Sequence, residues 1–118
     1  MLNRLLRGIA PDTTNAPEIE VAGTAEARMA GAAQILDIRE PEEWADGHIP
    51  GAIHIPLGEL AARASALEPD QPVIAVCRSG GRSLTAAEIL LAAGFSDAKS
   101  MAGGMIEWAK AGHPVERE

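Results

Sequence analysis

One short stretch of this sequence combines a nucleophile with groups that attract an anion. Residues 77–83 read Cys-Arg-Ser-Gly-Gly-Arg-Ser, and Cys77 is the only cysteine in the chain. The thiolate is the reactive form of cysteine, and nearby cations and backbone N–H groups favour it. The two glycines permit a tight curl in which successive N–H groups face inward as an anion-binding nest. The stretch therefore indicates a cysteine nucleophile that faces an anionic substrate.

The flanking sequence predicts the elements that position this stretch. Residues 72–76 form an apolar run with β-branched side chains, which is typical of a buried strand. Residues 84–93 place apolar side chains at helical spacing, and Gly94 is suited to end that helix. A helix start presents unpaired N–H groups and the positive end of the helix dipole. On its own, a cysteine after an apolar strand is typical of a small core residue; the loop that follows favours the reactive role.

The rest of the chain alternates predicted strands with predicted helices. Strands are predicted over residues 18–21, 34–38, 53–55, 72–76 and 97–101. Helices are predicted over residues 25–30 with Thr24 as cap, from residue 41 to Gly47, and over 57–67, 84–93 and 105–111. This alternation predicts an α/β fold with a mainly parallel sheet covered on both faces. Residues 1–17, with an apolar stripe from Leu2 to Ile9, are predicted to be an N-terminal extension and linker, and residues 18–118 the domain.

Composition excludes several classes of function. The 118 residues carry a formal net charge of -7, which disfavours nucleic acid as a partner because phosphate binding needs a basic face. With a single cysteine no internal disulfide forms, so a reducing, cytoplasmic location is expected. No apolar run is long enough to span a membrane. His48, His54 and His113 are not spaced as metal ligands, and we expect neither a metal nor an organic cofactor.

Four motifs, in this order along the chain, resemble the single-domain rhodanese family of thiosulfate sulfurtransferases. They are residues 37–44 (Asp-Ile-Arg-Glu-Pro-Glu-Glu-Trp), residues 47–56 (Gly-His-Ile-Pro-Gly-Ala-Ile-His-Ile-Pro), residues 77–83, and Gly103-Gly104 with Trp108. The resemblance covers about residues 18–112 and implies the three-layer rhodanese-like fold with a five-stranded sheet. It implies that Cys77 is catalytic and that Asp37 and Arg39 support the loop. The substrate-binding loop would comprise Arg78, Ser79, Gly80, Gly81, Arg82 and Ser83.

The loop and the resemblance together predict sulfur transfer. Cys77 would take the outer sulfur of a small anionic donor such as thiosulfate as a persulfide, and pass it to cyanide, a thiol or a protein acceptor. Arg78 and Arg82 would attract the donor. Ser83 would donate a hydrogen bond to the site or, equally well, cap the following helix.

Several of these residues also have purely structural interpretations. Asp37 and Arg39 are typical of an ordinary ion pair at a strand end. Trp44 is expected in the core, and His48, inside a Pro/Gly turn, is expected to be a hydrogen-bonded scaffold residue.

Two further functions compete with enzymatic sulfur transfer. The domain could be a persulfide carrier or partner-docking module with little turnover of free thiosulfate. It could also be a cysteine phosphatase, because those enzymes use cysteine and arginine around a similar bowl of backbone N–H groups. Their loops enclose five residues between the two, whereas Cys77 and Arg82 enclose four. A bowl of that size is expected to be too small for phosphate at attacking distance.

Overall fold

The computed structural model describes residues 16–117. The predicted stripe from Leu2 to Ile9 and most of the predicted linker lie outside these residues. The strands are β1 (Glu18–Ile19), β2 (Gln34–Asp37), β3 (Ile53–His54), β4 (Val73–Val76) and β5 (Ala98–Met101). The α-helices are α1 (Val21–Ala30), α2 (Pro41–Asp46), α3 (Leu60–Arg63), α4 (Gly81–Ala92) and α5 (Gly104–Lys110).

The five strands form one parallel sheet in the order β1-β5-β4-β2-β3. Strand β4 lies in the middle, with β2 and β5 as hydrogen-bonded neighbours. The carboxyl ends of parallel strands meet at one edge of the sheet, where α/β proteins build their sites. This topology places the residues that follow β2, β4 and β5 side by side, and it confirms the predicted α/β fold.

Successive residues of β4 point into two apolar layers on opposite faces of the sheet. Val73, Ala75 and Cys77 join one layer, to which α3 and α4 contribute. Ile74 and Val76 join the other, to which α1 and α5 contribute. A strand buried on both faces needs a continuous apolar run, which is why the sequence of β4 lacks polar alternation. Packing on both sides fixes the carboxyl end of β4, from which Cys77 follows.

Two predicted helix starts are wrong. Helix α4 begins at Gly81 and not at residue 84, because Gly80 has φ +111° and turns the chain directly into the helix as its N-cap. Helix α1 begins at Val21, so Thr24 lies inside it. The Thr24 hydroxyl donates a hydrogen bond to the Glu20 carbonyl at 3.1 Å, a bond to the preceding turn that is common for threonine within helices.

The helix predicted over residues 57–67 is interrupted. A 3₁₀ turn (Leu57–Glu59) precedes α3, and a second 3₁₀ turn (Ala64–Ala66) follows it. Leu60 and Leu67 of the predicted apolar stripe enter the core, whereas Ala61 is exposed, because the continuous helix that would align them is absent. Short segments of this kind depend on packing and not on propensity.

Among residues 16–117, none of the helices has the length and apolar character needed to cross a bilayer. The domain boundary at residues 17 and 18 stays a prediction.

Candidate active site

Cys77 directly follows β4, and its sulfur faces the start of α4. The residue is 1% exposed, and the sulfur accepts a hydrogen bond from the Gly80 N–H at 3.0 Å. The backbone curls over the sulfur because Gly80 adopts φ +111°, a conformation that side chains rarely permit. A Cβ at Gly80 would also lie 3.3 Å from the Gly103 nitrogen. The Gly80 N–H therefore faces the sulfur, as the predicted cup of N–H groups requires, and the loop encloses the thiol closely.

Two buried hydroxyl groups, those of Ser83 and Ser100, connect the Cys77 sulfur to strand β5. The Ser83 Oγ lies 3.4 Å from the Cys77 sulfur and 2.6 Å from the Ser100 Oγ. Ser100 also donates a hydrogen bond to the Gly80 carbonyl at 3.4 Å. Both serines have no exposed surface. Gly80 and not Ser83 is the N-cap of α4, and Gly80 has no side chain to cap with, so the Ser83 hydroxyl serves the sulfur and not the helix end.

These contacts favour the ionised thiol. Burial is the largest single influence and by itself raises the pKa of Cys77. The Ser83 hydroxyl and the backbone N–H groups of Ser83, Gly80 and Ser79 act in the opposite direction. Together they outweigh burial, and the pKa of the Cys77 thiol falls below its usual value. A lowered thiol pKa raises the fraction of thiolate, the form in which a cysteine is reactive.

Arg82 is held by an acid that the local sequence does not reveal. Its guanidinium donates to both carboxylate oxygens of Glu43 on α2, at 2.8 and 2.9 Å. The same carboxylate accepts a hydrogen bond from the Glu40 N–H at 3.0 Å. The hydrogen bond from Arg82 lowers the pKa of Glu43 from 4.5 to about 2. The positive charge of Arg82 is thus largely offset within the protein.

Arg78 is the more available cation of the loop. Its side chain is exposed and, within residues 16–117, makes no side-chain hydrogen bond or ion pair. It lines a cavity of about 240 Å³ beside the loop, whose other lining residues are Arg39, Glu43, Asp46, Met105 and Ile106. A cavity of about 570 Å³ lies against α1 and the end of the chain, with no lining residue from the loop. Of these two cavities, the smaller is the one lined by a residue of the loop, Arg78.

Helix α5 closes the cup from below. The Met105 N–H donates to the Cys77 carbonyl at 2.8 Å, and the Ile106 N–H donates to the Arg78 carbonyl at 3.1 Å. Gly104, with φ +59°, makes this approach possible, because a Cβ there would lie 2.5 Å from the Cys77 carbonyl oxygen and closer still to the Arg78 backbone. Gly104 therefore lets the start of α5 pack directly against the backbone of Cys77 and Arg78.

Asp37 and Arg39 form a buried pair at the end of β2. The two side chains are bidentate, with N–O distances of 2.6 and 2.9 Å, and Arg39 also donates to the Gly47 carbonyl at 2.8 Å. The Ile38 N–H donates to the Val76 carbonyl at 3.1 Å, which places the pair beside the strand that carries Cys77. Their side-chain hydrogen bonds go to each other and to Gly47, not to the loop, so the predicted support is indirect and stays a prediction.

Trp44 and two histidines form a stack of rings on the α2 side. Trp44 is half-buried and stacks with His48, at 3.5 Å, and with His54, at 4.7 Å between ring centroids. One ring nitrogen of His48 lies 2.8 Å from the Trp44 carbonyl oxygen. His48 is therefore a hydrogen-bonded scaffold residue as predicted, whereas Trp44 is less buried than a core residue. Within the described part of the chain, no three His, Cys, Asp or Glu side chains are arranged to hold a metal ion.

Sequence reasoning missed two residues of the site, Glu43 and Ser100. Glu43 lies 39 positions before Arg82, and neither its place in the motif of residues 37–44 nor its place in a predicted helix indicated this pairing. Ser100 pairs with Ala75 across β5 and β4. Its only signal was a hydroxyl inside the predicted strand over residues 97–101, and the structure shows that this strand lies beside β4.

Comparison with known proteins agrees with this geometry. The family described as "Rhodanese-like domain" matches residues 21–111. Thiosulfate sulfurtransferase GlpE of Pseudomonas aeruginosa is 41% identical over 76 residues, covering 64% of this chain and 69% of that protein. The putative sulfur carrier protein YrkF of Bacillus subtilis is 43% identical over 74 residues, covering 63% of this chain and only 40% of that protein.

Solved structures of rhodanese-related proteins have the same fold. The crystal structure of a rhodanese-related protein from Thermoplasma volcanium superposes with a TM-score of 0.79 at 34% identity, covering 86% of this chain and 99% of that one. The parallel sheet, the cysteine loop and these matches together show that the chain belongs to the rhodanese-like domain family, which includes single-domain sulfurtransferases.

Proposed function

We propose that this domain is a thiosulfate sulfurtransferase-like enzyme that carries sulfane sulfur as a persulfide on Cys77. The observation that carries the proposal is the cup around the thiol, with the Gly80 N–H at 3.0 Å and the Ser83 hydroxyl at 3.4 Å from the sulfur. Preorganised donors of this kind stabilise negative charge without reorganising during the reaction. They suit the thiolate before transfer and the persulfide anion after it.

In the first half-reaction, the Cys77 thiolate attacks the outer sulfur of thiosulfate. A new sulfur–sulfur bond forms, the sulfur–sulfur bond of thiosulfate breaks, and sulfite leaves with the bonding electron pair. The products are a persulfide anion on Cys77 and the sulfite dianion, so the total charge is unchanged. No proton moves, and no external oxidant or reductant is required.

In the second half-reaction, a nucleophilic acceptor removes the outer sulfur. Cyanide attacks that sulfur, the persulfide bond breaks, thiocyanate forms and the Cys77 thiolate returns with the electron pair. A thiolate on a small molecule or a protein accepts the sulfur in the same way and becomes a persulfide itself.

We also propose that the domain works in the cytoplasm, where an unpaired thiol stays reduced.

The exposed Arg78 side chain beside the cavity of about 240 Å³ is suited to guide the anionic donor to the sulfur. Arg82 contributes less free charge, because Glu43 binds its guanidinium in a bidentate pair. The loop is therefore less cationic than its sequence suggests, which favours small anions over strongly anionic partners.

A persulfide carrier is the second candidate function, and one observation favours it. The similar YrkF protein is described as a putative sulfur carrier. Steady-state turnover of thiosulfate and cyanide separates the two functions when compared with loading from a persulfidated protein. The enzyme predicts saturable turnover that depends on Cys77, whereas rapid loading from the protein with negligible thiosulfate turnover would support the carrier.

Phosphate transfer is disfavoured by the four-residue spacing between Cys77 and Arg82 and by the pairing of Arg82 with Glu43. Hydrolysis of an aryl phosphate that disappears in Cys77→Ala would contradict this assignment.

Glu43→Gln is expected to improve thiosulfate binding. Removing the carboxylate charge leaves the Arg82 guanidinium available to the donor, and a charge gained near the surface is worth about 1 kcal/mol, or about a fivefold lower KM. The gain should shrink as ionic strength rises. Thiosulfate kinetics at two salt concentrations measure it.

Glu42→Gln is the matched control, since this neighbouring acid is exposed and makes no side-chain hydrogen bond or ion pair within the described residues. An unchanged or higher KM in Glu43→Gln would show that Glu43 acts by holding Arg82 in place.

Glu43→Gln should also make the stability of the folded protein less sensitive to acid. Because the folded pKa of Glu43 is lowered, its pairing stabilises the fold above pH 4.5 and is lost as the pH falls towards 2.

A further inference from the structure

Ser100 connects the last strand of the sheet to the nucleophile through one other hydroxyl. Its Oγ lies 2.6 Å from the Ser83 Oγ, which lies 3.4 Å from the Cys77 sulfur. At its other side, Ser100 reaches the Gly80 carbonyl at 3.4 Å. Both serines and Cys77 are at most 1% exposed, so solvent does not compete for these contacts.

Counting protons along this chain of atoms gives two arrangements. With a neutral thiol, the S–H donates to Ser83, the Ser83 O–H donates to Ser100, and the Ser100 O–H donates to the Gly80 carbonyl. With a thiolate, the sulfur has no proton to donate, and it accepts a hydrogen bond from the Ser83 O–H. The Ser100 O–H then donates to the Ser83 oxygen over the short 2.6 Å contact. Both hydroxyls donate and accept with the neutral thiol; with the thiolate Ser83 still does both, whereas Ser100 only donates and no longer reaches the Gly80 carbonyl, so the direction of the chain is reversed.

We propose that Ser100 is a positioning residue that acts through Ser83, and that this two-hydroxyl chain turns from the Gly80 carbonyl towards the sulfur whenever Cys77 becomes an anion. A hydroxyl that itself accepts a hydrogen bond is a stronger donor, because hydrogen bonds in series polarise one another. Ser100 therefore strengthens the bond from Ser83 to the thiolate. Each serine keeps its own proton, and the proton of the thiol leaves to solvent.

Only the part of this proposal that concerns the persulfide state rests on the proposed function. When sulfur loads, the negative charge moves from the Cys77 sulfur to the outer sulfur. The Ser83 hydroxyl is then free to turn back to Ser100, while the N–H groups of the cup hold the new anion. Reversal of the hydroxyl chain would thus follow each half-reaction without any proton transfer.

Other charges near the sulfur are already paired or exposed. On the α4 side, Arg82 is bound to Glu43 of α2, and Arg78 is exposed. Beyond β2, Asp37 is paired with Arg39. From β5, the group that reaches this site is the neutral hydroxyl of Ser100, since Lys99 is paired with Asp97. Helix α5 contributes backbone N–H groups to the loop carbonyls. Removing the Ser100 hydroxyl therefore changes the donor chain without changing any charge.

The test is the pH dependence of Cys77 alkylation by iodoacetamide, which reports the thiol pKa whether or not the domain transfers sulfur. A hydrogen bond to a charged group is worth more than one pH unit of pKa. We expect Ser83→Ala to raise the alkylation midpoint by about one pH unit and Ser100→Ala to raise it by about half as much. The double variant should match Ser83→Ala, because Ser100 acts through Ser83.

Ser100→Thr keeps the hydroxyl and should keep the midpoint of the unchanged protein. Thr24→Val removes another fully buried hydroxyl, on α1, and should leave the midpoint unchanged even if it lowers stability. A midpoint in Ser100→Ala equal to that of Thr24→Val would overturn the proposal. An unshifted midpoint in Ser83→Ala would overturn it as well, even if Ser100→Ala failed to fold. If the alkylation midpoints shift as expected but the unchanged protein does not turn over thiosulfate, the proposed function alone is contradicted.

Discussion

Cys77→Ser is expected to abolish sulfur loading while leaving the fold intact. Serine is close to cysteine in size, so the apolar layer and the cup should be retained. Its hydroxyl ionises far less readily than a thiol and does not form a persulfide, so the hydrogen bonds of the cup cannot make it a sulfur nucleophile. We expect turnover of thiosulfate and cyanide to fall by at least about 10³-fold, as when other enzymes lose their nucleophile.

Intact-mass analysis after thiosulfate treatment measures this prediction directly. The unchanged protein should gain the mass of one sulfur atom and lose it again on addition of cyanide, and Cys77→Ser should gain nothing. Ser79→Ala is a suitable control, because Ser79 is an exposed loop residue whose backbone N–H, and not its hydroxyl, acts on the thiol. Sulfur retained on Cys77→Ser would contradict the persulfide at this position.

Gly104→Ala should have the largest effect on stability. Its φ of +59° is unfavourable for alanine by about 1 kcal/mol, and the new methyl group would meet the backbone of Cys77 and Arg78. Because a backbone cannot rotate away as a side chain can, the overpacking adds about 2 kcal/mol or more. We expect the free energy of unfolding to fall by about 3 kcal/mol and the loading rate to fall in the remaining folded protein, because the floor under the cup must shift.

Gly112→Ala separates the cost of a positive φ from the cost of the new contact with the backbone. Gly112 has φ +82°, and a Cβ there has nothing within 4 Å, so this variant carries the conformational cost without the contact. Denaturant unfolding of both variants gives the comparison, and loading rates show whether the cup is affected. Equal destabilisation by the two substitutions, with normal loading in Gly104→Ala, would mean that Gly104 is needed only for its backbone conformation.

The part of the site that is contiguous in the sequence could be predicted. The apolar run of β4, the cysteine that follows it and the glycine pair that starts α4 are local signals, and short-range backbone preferences determine them. Even here, the helix start was misplaced by three residues, because Gly80 turns the chain into α4 at once. Propensity alone assigns arginine and serine near a glycine pair to a loop.

Contacts between distant parts of the chain could not be predicted. The pairing of Glu43 with Arg82 and the hydrogen bond between Ser83 and Ser100 depend on how β2, β4 and β5 are ordered in the sheet. Nothing in the local sequence of residues 77–83 indicates that one of its two cations is already neutralised. Charge counted along the chain therefore overestimated the field that an incoming anion meets.

The two outermost strands of the sheet, β1 and β3, are only two residues long. An exposed strand edge is a template on which other chains add strands and begin to aggregate, and a short edge offers few free backbone groups for this. The three longer strands, β2, β4 and β5, lie in the interior of the sheet, and Cys77 follows the central one, β4. Self-association by edge-to-edge strand addition should therefore be a minor hazard for this domain, even at high concentration.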